Sequence, residues 1–137
     1  SARKEFRNLR PDEIAFPRSV SEIKKWESRT DMYNKGCPIH VRGAILYNHY
    51  TKKAGLDKKY AAIQSGEKIK FCYLKTPNTI QENVFSFIQE FPKELDLEKY
   101  IDYDAQFNKS FVEPMKIILN AIGWSVEKKV SLESFFA

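Results

Sequence analysis

A chain of 137 residues is the length of one domain, and with 42% hydrophobic, 14% aromatic and 30% charged residues it is too apolar and too aromatic for a disordered tail. No apolar run reaches the roughly 18 residues of a membrane span, and the opening "SARKEFRNLR" carries charge where a secretory leader is apolar, so a cytoplasmic setting is expected. The net charge of +5 is lopsided: residues 1–60 hold 14 Lys and Arg against 7 Asp and Glu, and residues 61–137 hold 9 against 11, a distribution that suits a polyanionic partner or a merely solvated surface.

In chain order, "ARKEFRNL" has a helical pattern without an evident N-cap and reads as the end of a longer helix. "EIAFPR" alternates Ile14 and Phe16 ahead of Pro17, which predicts a brief edge strand. Ser19 with Glu22 three residues on has the form of a capping box opening a short helix through Ile23 and Trp26, and "TDMYNKGCP" then reads as loop. From residue 39 to about 53 the apolar positions Ile39, Val41, Ala44, Ile45, Leu46 and Tyr50 fall on a helical period, with Gly55 marking the end.

"GEKIKFCYLK" sets Ile69, Phe71 and Tyr73 on one face against Lys68, Lys70 and Cys72 on the other, and "NVFSFI" is rich in strand formers, so the two are expected to pair. Pro77 and Asn78 suit the turn between them, but a connection this long leaves the register open. The second helical region runs over residues 95–124, with Phe107, Phe111, Met115, Ile118, Leu119 and Ile122 at three- and four-residue steps. Pro114 within it predicts either a kink or two helices, the second opening near Ser110, and Gly123 closes the region. The expected fold is α+β: a mainly helical single domain over residues 1–127 with a small antiparallel sheet, followed by a tail over 128–137.

Catalytic chemistry is not visible. His40 and His49 lie nine residues apart and do not share a helix face as paired ligands would. Cys37 and Cys72 stand singly and are expected to be reduced thiols. Asp102 and Asp104 are more simply helix N-terminal charges than a two-metal pair, and no phosphate-cradling glycine loop or nucleophile elbow is present. A binding constellation is visible instead, with Lys35 in a loop, Arg42 and Gly43 at a helix start and Lys52 and Lys53 near its end. A helix start offers unpaired N–H groups, so an arginine beside it can seat a phosphate, and a glycine lets a backbone approach closely. The alternative is that Arg42 pairs with a carboxylate of its own domain while Gly43 packs against a neighbouring helix.

The segment "KGCPIHVRGAILYNHY" resembles the thumb region of the family B replicative DNA polymerases of T-even-type bacteriophages, where a similar Cys-Pro-x-His-x-Arg-Gly run precedes a helix containing Tyr-Asn. "KEFR", "GEK", "DY", "KSFVEP" and "EKKVSL" follow the same order, so the resemblance covers nearly the whole chain. It implies a polymerase thumb-like fold that grips the primer–template duplex, with Arg42 and Lys109 at duplex-contacting positions; Lys35, Gly43 and Lys116 complete the expected DNA-binding set. Lys35 is offset by one residue from the family's lysine, and Glu113 stands where a basic residue occurs, with Lys116 to offset it.

The resemblance also implies that the palm, fingers and exonuclease parts, and the divalent metal, magnesium, that serves them, lie outside this segment. No cofactor and no activity of its own are then expected here, and the setting would be the cytoplasm of an infected bacterial host. "SLESFFA" resembles the peptide by which such polymerases dock on a sliding clamp, through Leu132, Phe135 and Phe136; alternatively these side chains fold back on their own core. A rival reading is a protein-interaction module that mainly presents this tail and does not itself bind DNA.

Overall fold

The computed structural model describes residues 1–123 and 133–134. It is an α+β domain built around a three-stranded antiparallel sheet of order β1-β2-β3, with β1 at Phe16–Ser19, β2 at Lys68–Tyr73 and β3 at Val84–Phe87. Helix α4 (Ile39–Lys53) lies against β3, burying Val41, Ala44, Ile45, Leu46 and Tyr47. The Val, Ile and Leu side chains each stabilise the fold by roughly 1.5–3 kcal/mol when fully buried, so this helix is a large share of the core. Among the described residues no helix is long and apolar enough to cross a membrane.

The helical period over residues 39–53 produces α4 at the expected bounds, and Gly55 ends it in a left-handed conformation at φ 71°. The strands also pair as expected. Their register sets Lys70 opposite Phe87 and Tyr73 opposite Val84. Asn78 organises the connection, its amide donating to the carbonyls of Lys75 at 2.8 Å and Glu82 at 2.7 Å while its Oδ1 accepts from Ile80 N–H at 3.0 Å. Because β2 is the central strand, Cys72 is fully buried rather than facing water with Lys70, and burial pushes its thiol up to about 12. Cys37 and Cys72 are both free thiols.

Four local expectations change. Helix α1 (Ala2–Phe6) does have a cap, since Ser1 Oγ accepts from Lys4 N–H at 3.3 Å. Ile14 belongs to a one-turn helix, α2 (Pro11–Ile14), because Pro11 is preorganised for a first helical turn and Glu13 bonds back to Arg10 N–H; only Phe16 onward is strand. The Ser19–Glu22 box does not form before α3 (Ile23–Trp26): Ser19 is in β1, Glu22 is left-handed at φ 52°, and Ile23 N–H is satisfied by Ser65 Oγ at 3.1 Å. Within "TDMYNKGCP", residues Asp31–Tyr33 form a single 3-10 turn.

Pro114 is accommodated by a change of helical pitch. Helix α5 (Tyr103–Phe107) runs into a π-helical turn, Asn108–Val112, before α6 (Glu113–Ala121) opens three residues later than Ser110. Glu113 N–H bonds to Asn108 C=O, a five-residue step that widens the coil just ahead of the proline ring. Asp102 caps α5 through Ala105 N–H at 3.0 Å, as its position at the helix start suggested.

Asp104 ties this helix to α1, accepting from Arg7 at 2.7 Å and Arg3 at 3.3 Å. The Arg7 hydrogen bond, aided by Arg3, holds its carboxyl below the usual range. A depressed folded-state pKa contributes stability above the unfolded pKa that is lost as pH falls through the folded one. Asp104→Asn should therefore lose stability relative to the parent at neutral pH and converge with it in acid, as read from urea unfolding at pH 7 and pH 3.

Candidate nucleic-acid interface

The β1–β2 pairing brings together side chains that are far apart in sequence. Phe16 lies opposite Phe71, and two-residue steps along each strand add Arg18 and Tyr73 to the same face. The rings of Phe16 and Phe71 are 5.3 Å apart, and Tyr73 stands edge-on to both, at 6.3 Å from Phe16 and 5.6 Å from Phe71. Arg18 sits over Phe71 at 5.5 Å, and Lys109 reaches from the π turn to sit 5.2 Å over Tyr73. These residues and Ser110 line an open concavity of about 380 Å³.

Lys109 is thus one of the sequence-predicted positions that gains a defined setting. Its place depends on Gln106, which is fully buried and bridges two elements: its Oε1 accepts from Tyr73 N–H at 2.9 Å, and its Nε2 donates to Ile14 C=O at 3.0 Å. Arg18, Phe16 and Tyr73 were not among the predicted site residues. The alternation in "KIKFCY" signals Phe71 and Tyr73, but the register against β1 is needed to add Phe16 and Arg18.

The start of α4 adjoins this shelf, with the His40 ring 6.2 Å from Phe71 and its Nε2 3.0 Å from Ser19 O. Arg42 turns inward from it. Its Nη1 donates to Glu82 Oε2 at 3.2 Å and to Asn83 Oδ1 at 2.9 Å, with the pair 17% and 10% exposed at the side chains. Tyr33 donates its hydroxyl to the other Glu82 oxygen, and burial together with that bond pushes the phenol up to about 12. The alternative of a carboxylate partner within the domain is therefore what Arg42 has found.

Gly43 is buried, and its near neighbour is strand β3 rather than a helix: a Cβ there would overlap Ser86 Oγ and come within 3.0 Å of Ser86 N. Ser86 in turn donates to His40 C=O at 2.9 Å. The backbone approach that Gly43 permits is thus used by this chain's own sheet.

The remaining predicted positions are dispersed. Lys35 is exposed in the loop before α4. Lys116 on α6 is half-matched in charge by Glu133 at 2.7 Å. Leu132, Phe135 and Phe136, and the boundary between residues 127 and 128, lie outside the described residues. Among the described residues no group of three or more His, Cys, Asp or Glu side chains is placed to hold a metal ion.

No protein-family model matches the chain. Over 137 residues, 97% of its length, it is 30% identical to the DNA-directed DNA polymerase of Enterobacteria phage T4. The chain is a relative of the T-even phage DNA polymerases. It is also 29% identical over 136 residues to the DNA-directed DNA polymerase of Escherichia phage RB69. The likeness to these polymerases is nearly complete on one side and narrow on the other, because the chain spans 15% of the T4 polymerase and 14% of the RB69 polymerase. The family resemblance carried by "KGCPIHVRGAILYNHY" and its ordered companions is thus matched by a likeness along nearly the whole sequence.

Proposed function

We propose that this chain is the thumb part of a phage replicative, family B DNA polymerase, where it grips the primer–template duplex through the sugar-phosphate backbone. The observation that carries the reading is the 30% identity to the T4 DNA-directed DNA polymerase across 97% of the chain. The basic excess in residues 1–60 supports it. Lys35 and Lys109 are the exposed cations of the predicted set without a carboxylate partner among the described residues, and they make the phosphate contacts. Arg42 and Gly43 shape the loop-to-helix junction that carries Lys35, and Lys116 adds to the field when Glu133 moves away.

In this reading the chain itself has no nucleotidyl-transfer activity. The palm, fingers and exonuclease parts of the polymerase hold the divalent metal and the reacting groups, and the tail with Leu132, Phe135 and Phe136 tethers the enzyme to a sliding clamp. The setting is the cytoplasm of an infected bacterial host.

Fluorescence anisotropy with labelled duplexes of unrelated sequence tests the grip. Log affinity should fall with log salt by about 0.9 for each phosphate neutralised, and Lys35→Ala and Lys109→Ala should each weaken all duplexes alike and reduce that slope by about one. Salt-independent binding, or no binding at low salt, would overturn the reading.

A further inference from the structure

The aromatic shelf is poorly matched to a duplex backbone alone. Phosphates need only cations, whereas Phe16 and Tyr73 keep partly open rings between Arg18 and Lys109. In a duplex the base faces are stacked on one another and cannot lie on a protein ring. An unpaired base can. We propose that the shelf formed by Phe16, Arg18, Phe71, Tyr73 and Lys109 is a binding site for single-stranded DNA, with an unpaired base against Tyr73 and Phe16 and its flanking phosphates against Arg18 and Lys109. This rests on the nucleic-acid reading above and goes beyond it in naming a second, unpaired form of the polymer and the residues that take it.

Charge supports that occupant over a peptide of mixed sequence. The lining holds two cations and no carboxylate, and neither Arg18 nor Lys109 has an ion-pair partner among the described residues; Arg18 otherwise donates only to Pro17 C=O at 2.7 Å. Other cations of this domain are answered by carboxylates, Arg3 and Arg7 by Asp104 and Arg10 by Asp12 among them. The shelf is also rigid where it must be. Phe71 is buried, the Tyr73 backbone is held by Gln106, and β1 is paired along its length with β2. Aromatic stacking combined with a basic groove is the general means by which proteins hold single strands without reading sequence.

The site also explains the position of the π turn in functional terms. Lys109 is the second residue of that turn, and the wider coil carries it to the Tyr73 ring. A cation resting on a ring face can be displaced sideways by a base while keeping its charge beside the phosphate. Single-strand binding would thus exchange a cation–ring contact for a base–ring contact and an ion pair, with little movement of the backbone.

The test uses the full chain and three probes: a labelled oligothymidylate of fifteen nucleotides, an abasic strand with the same backbone, and a hairpin duplex. The parent should bind the thymidylate about tenfold more tightly than the abasic strand, the size expected for one stacked base. Tyr73→Leu should abolish that difference while leaving duplex affinity within about twofold, and Phe16→Leu provides a second variant should Tyr73→Leu unfold, as checked by circular dichroism. Lys109→Gln should weaken both single strands and lower their salt slope by about 0.7. Equal binding of thymidylate and abasic strands by the parent overturns the single-strand site, as does a preference that survives both ring substitutions. Duplex binding that persists in either case leaves the duplex reading standing, whereas failure to bind any of the probes removes both.

Discussion

Gln106→Leu is expected to lower the unfolding free energy by about 2–5 kcal/mol, the cost of stranding two buried backbone groups that the amide now satisfies. Leucine is close to glutamine in volume, so the loss reports the hydrogen bonds rather than a cavity. Tyr73 N–H would be left without its acceptor in a part-buried setting, and Ile14 C=O without its donor in a buried one. Gln106→Glu separates the two bonds, because a carboxylate still accepts from Tyr73 N–H but faces the Ile14 carbonyl as a second acceptor. Its pKa in the fold should be raised by burial and by that carbonyl. A raised acid contributes stability below its unfolded pKa that is lost as pH rises, so Gln106→Glu should approach the parent near pH 4 and fall behind it at pH 7. Urea unfolding at the two pH values measures this; a leucine variant within roughly 0.5 kcal/mol of the parent, the size of an ordinary surface substitution, would contradict the bridging role.

Arg42→Met carries the second large effect, and it distinguishes an organising arginine from a gripping one. Removing one member of a buried ion pair costs about 3–5 kcal/mol when nothing else answers the remaining charge. Glu82 keeps the Tyr33 hydroxyl and slight exposure, so a loss of about 1–3 kcal/mol is expected. Pairing the change with Glu82→Gln removes the stranded charge and should restore most of the stability. If Arg42 acts by holding the loop before α4 against the start of β3, the double variant should also keep duplex affinity within about twofold. A double variant that regains stability yet loses duplex binding uniformly across sequences would show instead that the guanidinium itself meets a phosphate.

Both predictions concern residues whose partners are distant in sequence, and that marks how far the sequence could be read. Arg42 sits 40 residues from Glu82, and Gln106 lies 92 residues from Ile14. A polar residue within a helical pattern gives no sign of which buried backbone group it serves. Gln106 therefore gives no signal in the sequence, although the helical region that contains it does. Arg42 and Gly43 at a helix start are legible as a candidate phosphate seat, but the pattern leaves two explanations open. Contact with β3 then showed Arg42 bound to Glu82 and Gly43 making room for Ser86.

Cap assignments illustrate the same limit at short range. Ser19 and Glu22 have the spacing of a capping box, yet strand pairing takes Ser19 into β1, so a serine 42 residues away from Ile23 supplies the bond instead. A local hydrogen bond worth about 1 kcal/mol does not outweigh a strand pairing with several bonds and a buried face. Proline was more legible. Pro114 announced a break, and only its form, a π turn leading into α6, required the fold.

By itself the sequence determined the α+β class, the long helix α4, the pairing of β2 with β3, and the relation to the T-even phage DNA polymerases. Those features follow from hydrophobic period, glycine and proline placement, and ordered short motifs, all of which are local or additive along the chain. Among the described residues, the tertiary structure alone decided which basic side chains are paired with carboxylates, and it assembled Phe16, Arg18, Phe71, Tyr73 and Lys109 on one face. That assembly depends on the β1–β2 register and on where α5 is pinned to β2. A one-residue slip would turn each β1 side chain to the other face, so no inspection of the separate segments could have placed them together.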